Sequence, residues 1–111
     1  MDNIIFKDGR LLILDQTLLP NKETYEEMTS LDDCRTAIKK LMVRGAPAIG
    51  IFAGYAMALF GRENAKQAKA ALDSARPTAV NLSWATSRLL KAIESGKDPV
   101  AEARAIHNED M

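Results

Sequence analysis

Two short apolar runs, "IIF" and "LLIL", stand on either side of Asp8 and Gly9 at the start of the chain. An Asp-Gly pair supplies the positive φ angles of a type I′ turn, so this spacing predicts an opening hairpin. After "LLPNK", a loop with Pro20 and Asn21, the stretch "ETYEEMT" alternates between apolar and polar positions. It predicts a third, half-exposed strand with Glu26 and Glu27 on the solvent side.

The period then changes from two to three and four. Ser30 suits an N-cap, Asp32 and Asp33 suit the positive end of a helix dipole, and Leu31, Cys34, Ile38 and Leu41 make an apolar stripe. "RGAP" interrupts this helix, and Pro47 fits the first position of the next one, where a missing N–H is harmless. Residues 47–60 are almost wholly apolar, and Gly50, Gly54 and Ala58 form a row without bulk that another backbone can approach. Gly61 is expected to end that helix in the left-handed conformation.

"RENAKQAKAALDSA" is a strong helix former, halted at "ARP" because the residue before proline avoids the α region. Thr78 is the expected cap of "AVNLSWATSRLLKAIES", whose Leu82, Ala85, Leu89 and Ala92 share one face and whose stop is Gly96. Asp98 and Pro99 open a last helix with Val100, Ala103 and Ile106 inward. No stop signal precedes Met111, so this helix is expected to be cut in mid-course. The pattern predicts an α+β domain, a small three-stranded antiparallel sheet followed by a bundle of about five helices.

Composition narrows the function. The 111 residues, 47% of them hydrophobic, suffice for one core and one domain. Fifteen basic residues balance fifteen acidic ones, so no overall field recruits nucleic acid. The apolar run at 47–60 falls short of the roughly twenty residues that span a bilayer, which argues against a membrane partner. The lone Cys34 has no disulfide partner, and "MDNIIFKDG" lacks the features of a secretory signal, so a cytoplasmic address is expected.

Two segments share one grammar. "RGAPAIG" and "RPTAVN" each put an arginine just ahead of a helix start made of proline and small residues. Unpaired N–H groups at a helix N-terminus carry partial positive charge, and a guanidinium adds a full charge in a fork that matches phosphate oxygens. Arg44 and Arg76 are therefore candidate anion-binding residues, with Gly45 and Ala46 small enough to admit a ligand to the main chain. The alternative is that each arginine is a solvated helix cap. Cys34 lies on a buried stripe and is expected to be inert. His107, among "HNED", is expected on the solvated surface, and Trp84 and Tyr55 are expected in the core. The residues form no catalytic triad, metal site or acid and base pair, and imply no cofactor.

"LDQTLLP", "RGAPAIG" and "RPTAVNLSWA", in this order and spacing, resemble the N-terminal part of methylthioribose-1-phosphate isomerase. The likeness extends over essentially the whole chain. The same superfamily includes ribose-1,5-bisphosphate isomerase and the regulatory subunits of translation initiation factor 2B, and "RGAPAIG" in full favours the isomerases. The resemblance implies a small N-terminal domain followed by a larger Rossmann-like one, in a homodimeric enzyme that uses neither metal nor nucleotide. It implies that Arg44, Gly45, Ala46 and Arg76 contact a sugar 1-phosphate, which reinforces the anion reading. The implied reaction is the conversion of 5-methylthioribose 1-phosphate to 5-methylthioribulose 1-phosphate in methionine salvage. The family's catalytic cysteine and aspartate belong to the second domain, and Cys34 matches neither. The isolated chain is thus expected to bind without turning over; the alternative is a noncatalytic assembly module akin to the initiation-factor subunits.

Overall fold

Asp8 (φ 55°) and Gly9 (φ 74°) both take the left-handed backbone, and the turn they make joins β1 (Ile4–Lys7) to β2 (Arg10–Leu14). The computed structural model describes residues 4–15, 21, 24–40 and 46–109. Strand β3 (Tyr25–Met28) completes an antiparallel sheet in the order β1-β2-β3, with Ile4 opposite Ile13 and Leu11 opposite Met28. Directly paired residues share a face, so these four side chains point together into the core, and all are buried. Glu26 pairs with Ile13 and is therefore on the core-ward face, half-buried, contrary to the sequence expectation. Glu27 alone meets that expectation; it is exposed and accepts from Arg10 Nη2 at 2.7 Å.

Helix α1 (Leu31–Lys39) starts where its cap residues dictate. Ser30 Oγ accepts from the Asp33 N–H at 3.1 Å, while the Asp33 carboxylate accepts from Thr29 N at 2.9 Å and Thr29 Oγ1 at 2.7 Å. Cys34 and Ile38 are buried beneath it. Leu41, the last member of the predicted stripe, lies outside the described residues.

Helix α2 (Ala46–Phe60) begins one residue before the expected Pro47, and both positions fall in the first turn, where amides have no intrahelical acceptor. Residues 49–58 are buried without exception, as a helix apolar on every side requires. It is the central element, covered by α3 (Ala65–Asp73), α4 (Val80–Glu94) and α5 (Pro99–Glu109). Its end differs from the expectation, because Gly61 does not have a positive φ. Glycine stands there for want of space: a Cβ would come 2.8 Å from Met57 O and 3.1 Å from Ala68 Cβ. Gly61 N donates to Met57 O and Arg62 Nε to Ala58 O, each at 2.8 Å, so an arginine closes the negative end of the helix. Gly96, by contrast, does adopt the left-handed conformation (φ 78°) after α4, and Asp98 Oδ1 accepts from Val100 N to start α5.

Candidate functional site

The row of small residues fixes how α2 meets α4. A Cβ on Gly50 would lie 3.3 Å from Asn81 O and 3.8 Å from Ala85 Cβ, and one on Gly54 would lie 3.6 Å from Leu89 Cδ2. Rising numbers on one helix therefore meet rising numbers on the other. The two helices run parallel, nearly in backbone contact, with their N-termini at the same end of the molecule. Gly54 also faces Ile106 and Ala103 of α5, which confirms the packing role expected of the row.

Parallel macrodipoles repel, and here they bring two positive ends together. Neither α2 nor α4 has an acidic residue in its first turn. Ala79, not the expected Thr78, occupies the N-cap of α4 and offers no side-chain bond to the leading amides. Helices α1 and α5 are dressed differently: Asp32 and Asp33 begin the first, and Glu102 with the Asp98 cap begins the second. Helix α3 shares these features, with no acidic residue in its first turn and no side-chain bond from its Asn64 cap; of these three starts, those of α2 and α4 lie side by side.

Arg76 sits half-buried in the α3–α4 connection, three residues before that cap. The Ala79 N–H donates to Arg76 O at 3.0 Å and the Arg76 N–H to Asp73 O at 3.3 Å, so the connection is a folded turn. Among the described residues its guanidinium has no ion-pair partner. The turn is anchored from behind by Asp73, which accepts from buried Thr86 Oγ1 at 2.7 Å and from Lys69 Nζ at 2.6 Å. Arg35 Nε donates to Ser74 Oγ at 3.2 Å and ties the same corner to α1. Arg44 and Gly45, and the side chain of Ala46, lie outside the described residues; the main chain of Ala46 opens α2.

Other sequence candidates are placed plainly. Cys34 is fully buried, and burial, with the nearby Asp33 charge adding to it, pushes its thiol far above the ordinary range, so it is no nucleophile. His107 is not on the solvated surface: its Nδ1 is 2.8 Å from Tyr55 Oη, and its ring meets the Tyr55 ring edge-on. A buried phenol needs a polar partner, and α5 supplies it. Tyr55, stacked on Phe6 with ring centroids 4.6 Å apart, is in the core as expected. Trp84 is not; it is 47% exposed, with the Arg88 guanidinium 5.5 Å from its ring centroid. The helical wheel of α4 carried that signal, since position 84 lies well away from the stripe of 82, 85, 89 and 92. A shallow depression among Arg88, Lys91, Ser95, Lys97 and Glu102 also carries cations, but its arginine is already bound to Glu102 and Glu109. Among the described residues no cluster of His, Cys, Asp or Glu could hold a metal ion, and no helix is long and apolar enough to cross a membrane.

No profile of a protein family matches the chain. Individual proteins do. A methylthioribose-1-phosphate isomerase from Anaeromyxobacter sp. (strain Fw109-5) is 44% identical over 117 residues, a match that covers 96% of this chain and 34% of the relative. The chain is homologous to methylthioribose-1-phosphate isomerases. It spans about a third of the length of such curated relatives. Among solved structures, the 5-methylthioribose 1-phosphate isomerase from Pyrococcus horikoshii OT3 superposes with a TM-score of 0.86 at 32% identity, over 96% of this chain and 36% of that one. Translation initiation factor eIF-2B, subunit delta, from A. fulgidus superposes with a TM-score of 0.88 at 37% identity, over 99% of this chain and 37% of that one. The α+β fold expected from the sequence is therefore shared with the matched part of both.

Proposed function

We propose that this chain is the N-terminal, substrate-gripping domain of a two-domain sugar-phosphate isomerase. The substrate is 5-methylthioribose 1-phosphate and the product 5-methylthioribulose 1-phosphate. The observation that carries this reading is the parallel pairing of α2 and α4, which sets two helix N-termini without acidic first turns and the Arg76 turn at one end of the molecule. A phosphate there accepts from backbone amides of both helices, with Arg76 and Arg44 supplying full charges and Gly45 and Ala46 giving room.

Substrate and product are isomers, so the reaction needs no net oxidant. The phosphate on the anomeric oxygen blocks simple ring opening, and proton movement then demands an aligned acid and base in a site sheltered from water. This domain contributes the grip on phosphate, while the acid and base come from the remaining two thirds of the longer relatives. Alone, the chain binds and does not turn over.

The test is a titration of the ¹⁵N-labelled chain with inorganic phosphate, followed by NMR. Amide signals around Gly45, Thr78 and Val80 should shift together, and Arg76→Ala should weaken the apparent affinity by roughly tenfold, the loss of one charge-assisted contact. Saturating phosphate that moves none of these signals defeats the reading. A second reading is favoured by the likeness to the eIF-2B subunit, namely a noncatalytic assembly module. Stoichiometric binding to a protein partner that survives the double change of Arg44 and Arg76 to Ala is the result that selects it.

A further inference from the structure

The first two turns of α4 present an unusual surface. Residues 77–87 contain no Asp, Glu, Lys or Arg, yet only Leu82, Ala85 and Thr86 among them are buried. Val80 is 77% exposed and Trp84, one turn on, 47% exposed; they are the large exposed hydrophobic residues of the described chain. Both stand clear of the buried stripe of the same helix, so they add nothing to this domain's core. Trp84 is also held in place. Glu109 binds Arg88 at both ends of its carboxylate (2.9 and 2.7 Å), Glu102 takes the Nε side, and the fixed guanidinium backs the indole ring. An aromatic backed by a paired guanidinium, one turn from an exposed valine on a stretch without charged residues, is the make-up of the centre of an interface.

From these features we infer that the Val80–Trp84 face is the docking surface for the second domain of the same polypeptide, an inference that rests on the two-domain reading proposed above. Two observations select this occupant over a second copy of the chain. Arg88 grips Glu102 and Glu109, two turns apart on α5, so that helix delivers its last turn beside Trp84. Whatever follows this helix in longer relatives starts at the edge of the patch. The patch also begins at Val80, the first residue of α4, and so adjoins the paired helix starts. A domain seated on it would roof those amides, and exclusion of water strengthens their hold on an anion.

The probe is an in-frame fusion of this chain to the unmatched remainder of the Anaeromyxobacter relative, compared with the isolated chain by hydroxyl-radical footprinting and mass spectrometry. Trp84 is the chain's single tryptophan, so its oxidation is read without ambiguity. The rate at Trp84 should fall at least fivefold in the fusion, while Phe60, at the far end of α2, keeps its rate. Val80→Asp, a surface change that suits a helix N-terminus, should restore Trp84 oxidation in the fusion. Equal oxidation of Trp84 in fusion and isolated chain overturns the inference. So does protection that already grows with the concentration of the isolated chain, because a second copy then covers the face. Arg76→Ala in the fusion separates the two readings: it should weaken phosphate binding by roughly tenfold and leave Trp84 protected.

Discussion

Thr86 Oγ1 donates to Asp73 Oδ1 at 2.7 Å from a fully buried position, joining the second turn of α4 to the last turn of α3. The corner between them carries Arg76, so this bond sets where the candidate phosphate-binding arginine stands. Thr86→Val keeps the shape and removes the donor. It should cost about 1.5–3 kcal/mol in denaturant unfolding, the worth of a bond to a charged acceptor, and weaken phosphate binding, whereas Thr86→Ser should retain both.

Gly50 sets the approach of α2 to α4, and a Cβ there is already tight against Asn81 O at 3.3 Å. Gly50→Val should lower stability by about 1–3 kcal/mol through overpacking and spread the two helix N-termini. Phosphate titration should then show weaker binding than in a variant equally destabilised at the other end of α2.

That comparison variant is Gly61→Ala. Its Cβ would meet rigid backbone, Met57 O at 2.8 Å, and a loss of about 1–3 kcal/mol is expected from urea melts. Gly9→Ala meets nothing within 4 Å but holds φ at 74°, so its cost is conformational alone, about 1 kcal/mol. A larger loss at Gly9 than at Gly61 would contradict this assignment of roles.

Acid should loosen the start of α1. Bonds from the Thr29 hydroxyl and amide hold the Asp33 carboxyl below its ordinary value of 3.8. A group whose folded value is depressed stabilises fully above its unfolded value and loses that contribution as pH falls through the folded one. Glu27, through the Arg10 bond, and Glu109, through Arg88, shift in the same direction. Thermal midpoints should therefore be level near neutrality and fall below about pH 4. Asp33→Asn should flatten part of that fall.

Cys34 gives a direct check on the core. Its buried thiol should react with a disulfide reagent only at the rate of unfolding, and urea past the midpoint should expose it at once. Rapid labelling of the native chain would place α1 elsewhere.

Local rules in the sequence were enough for the hairpin at Asp8-Gly9, the Ser30 and Asp98 caps, the Gly96 stop, the buried stripes of α1 and α4, and the α+β order of elements. Each depends on residues within a few positions of one another, where turn chemistry and helical period act. Contacts between distant segments decided the rest. Gly61 serves space and not a left-handed turn because α3 folds back over it, His107 leaves the surface because Tyr55, far along the chain, lacks a partner, and Trp84 stands outside because α4 buries its opposite side. The grammar of arginine before a helix start marked two separate places, and the period of neither helix says where the other lies. That α2 and α4 run parallel with their N-termini together follows from the close fit of Gly50 and Gly54 against a partner brought alongside by the α3 crossover, a relationship that exists only once the chain is packed.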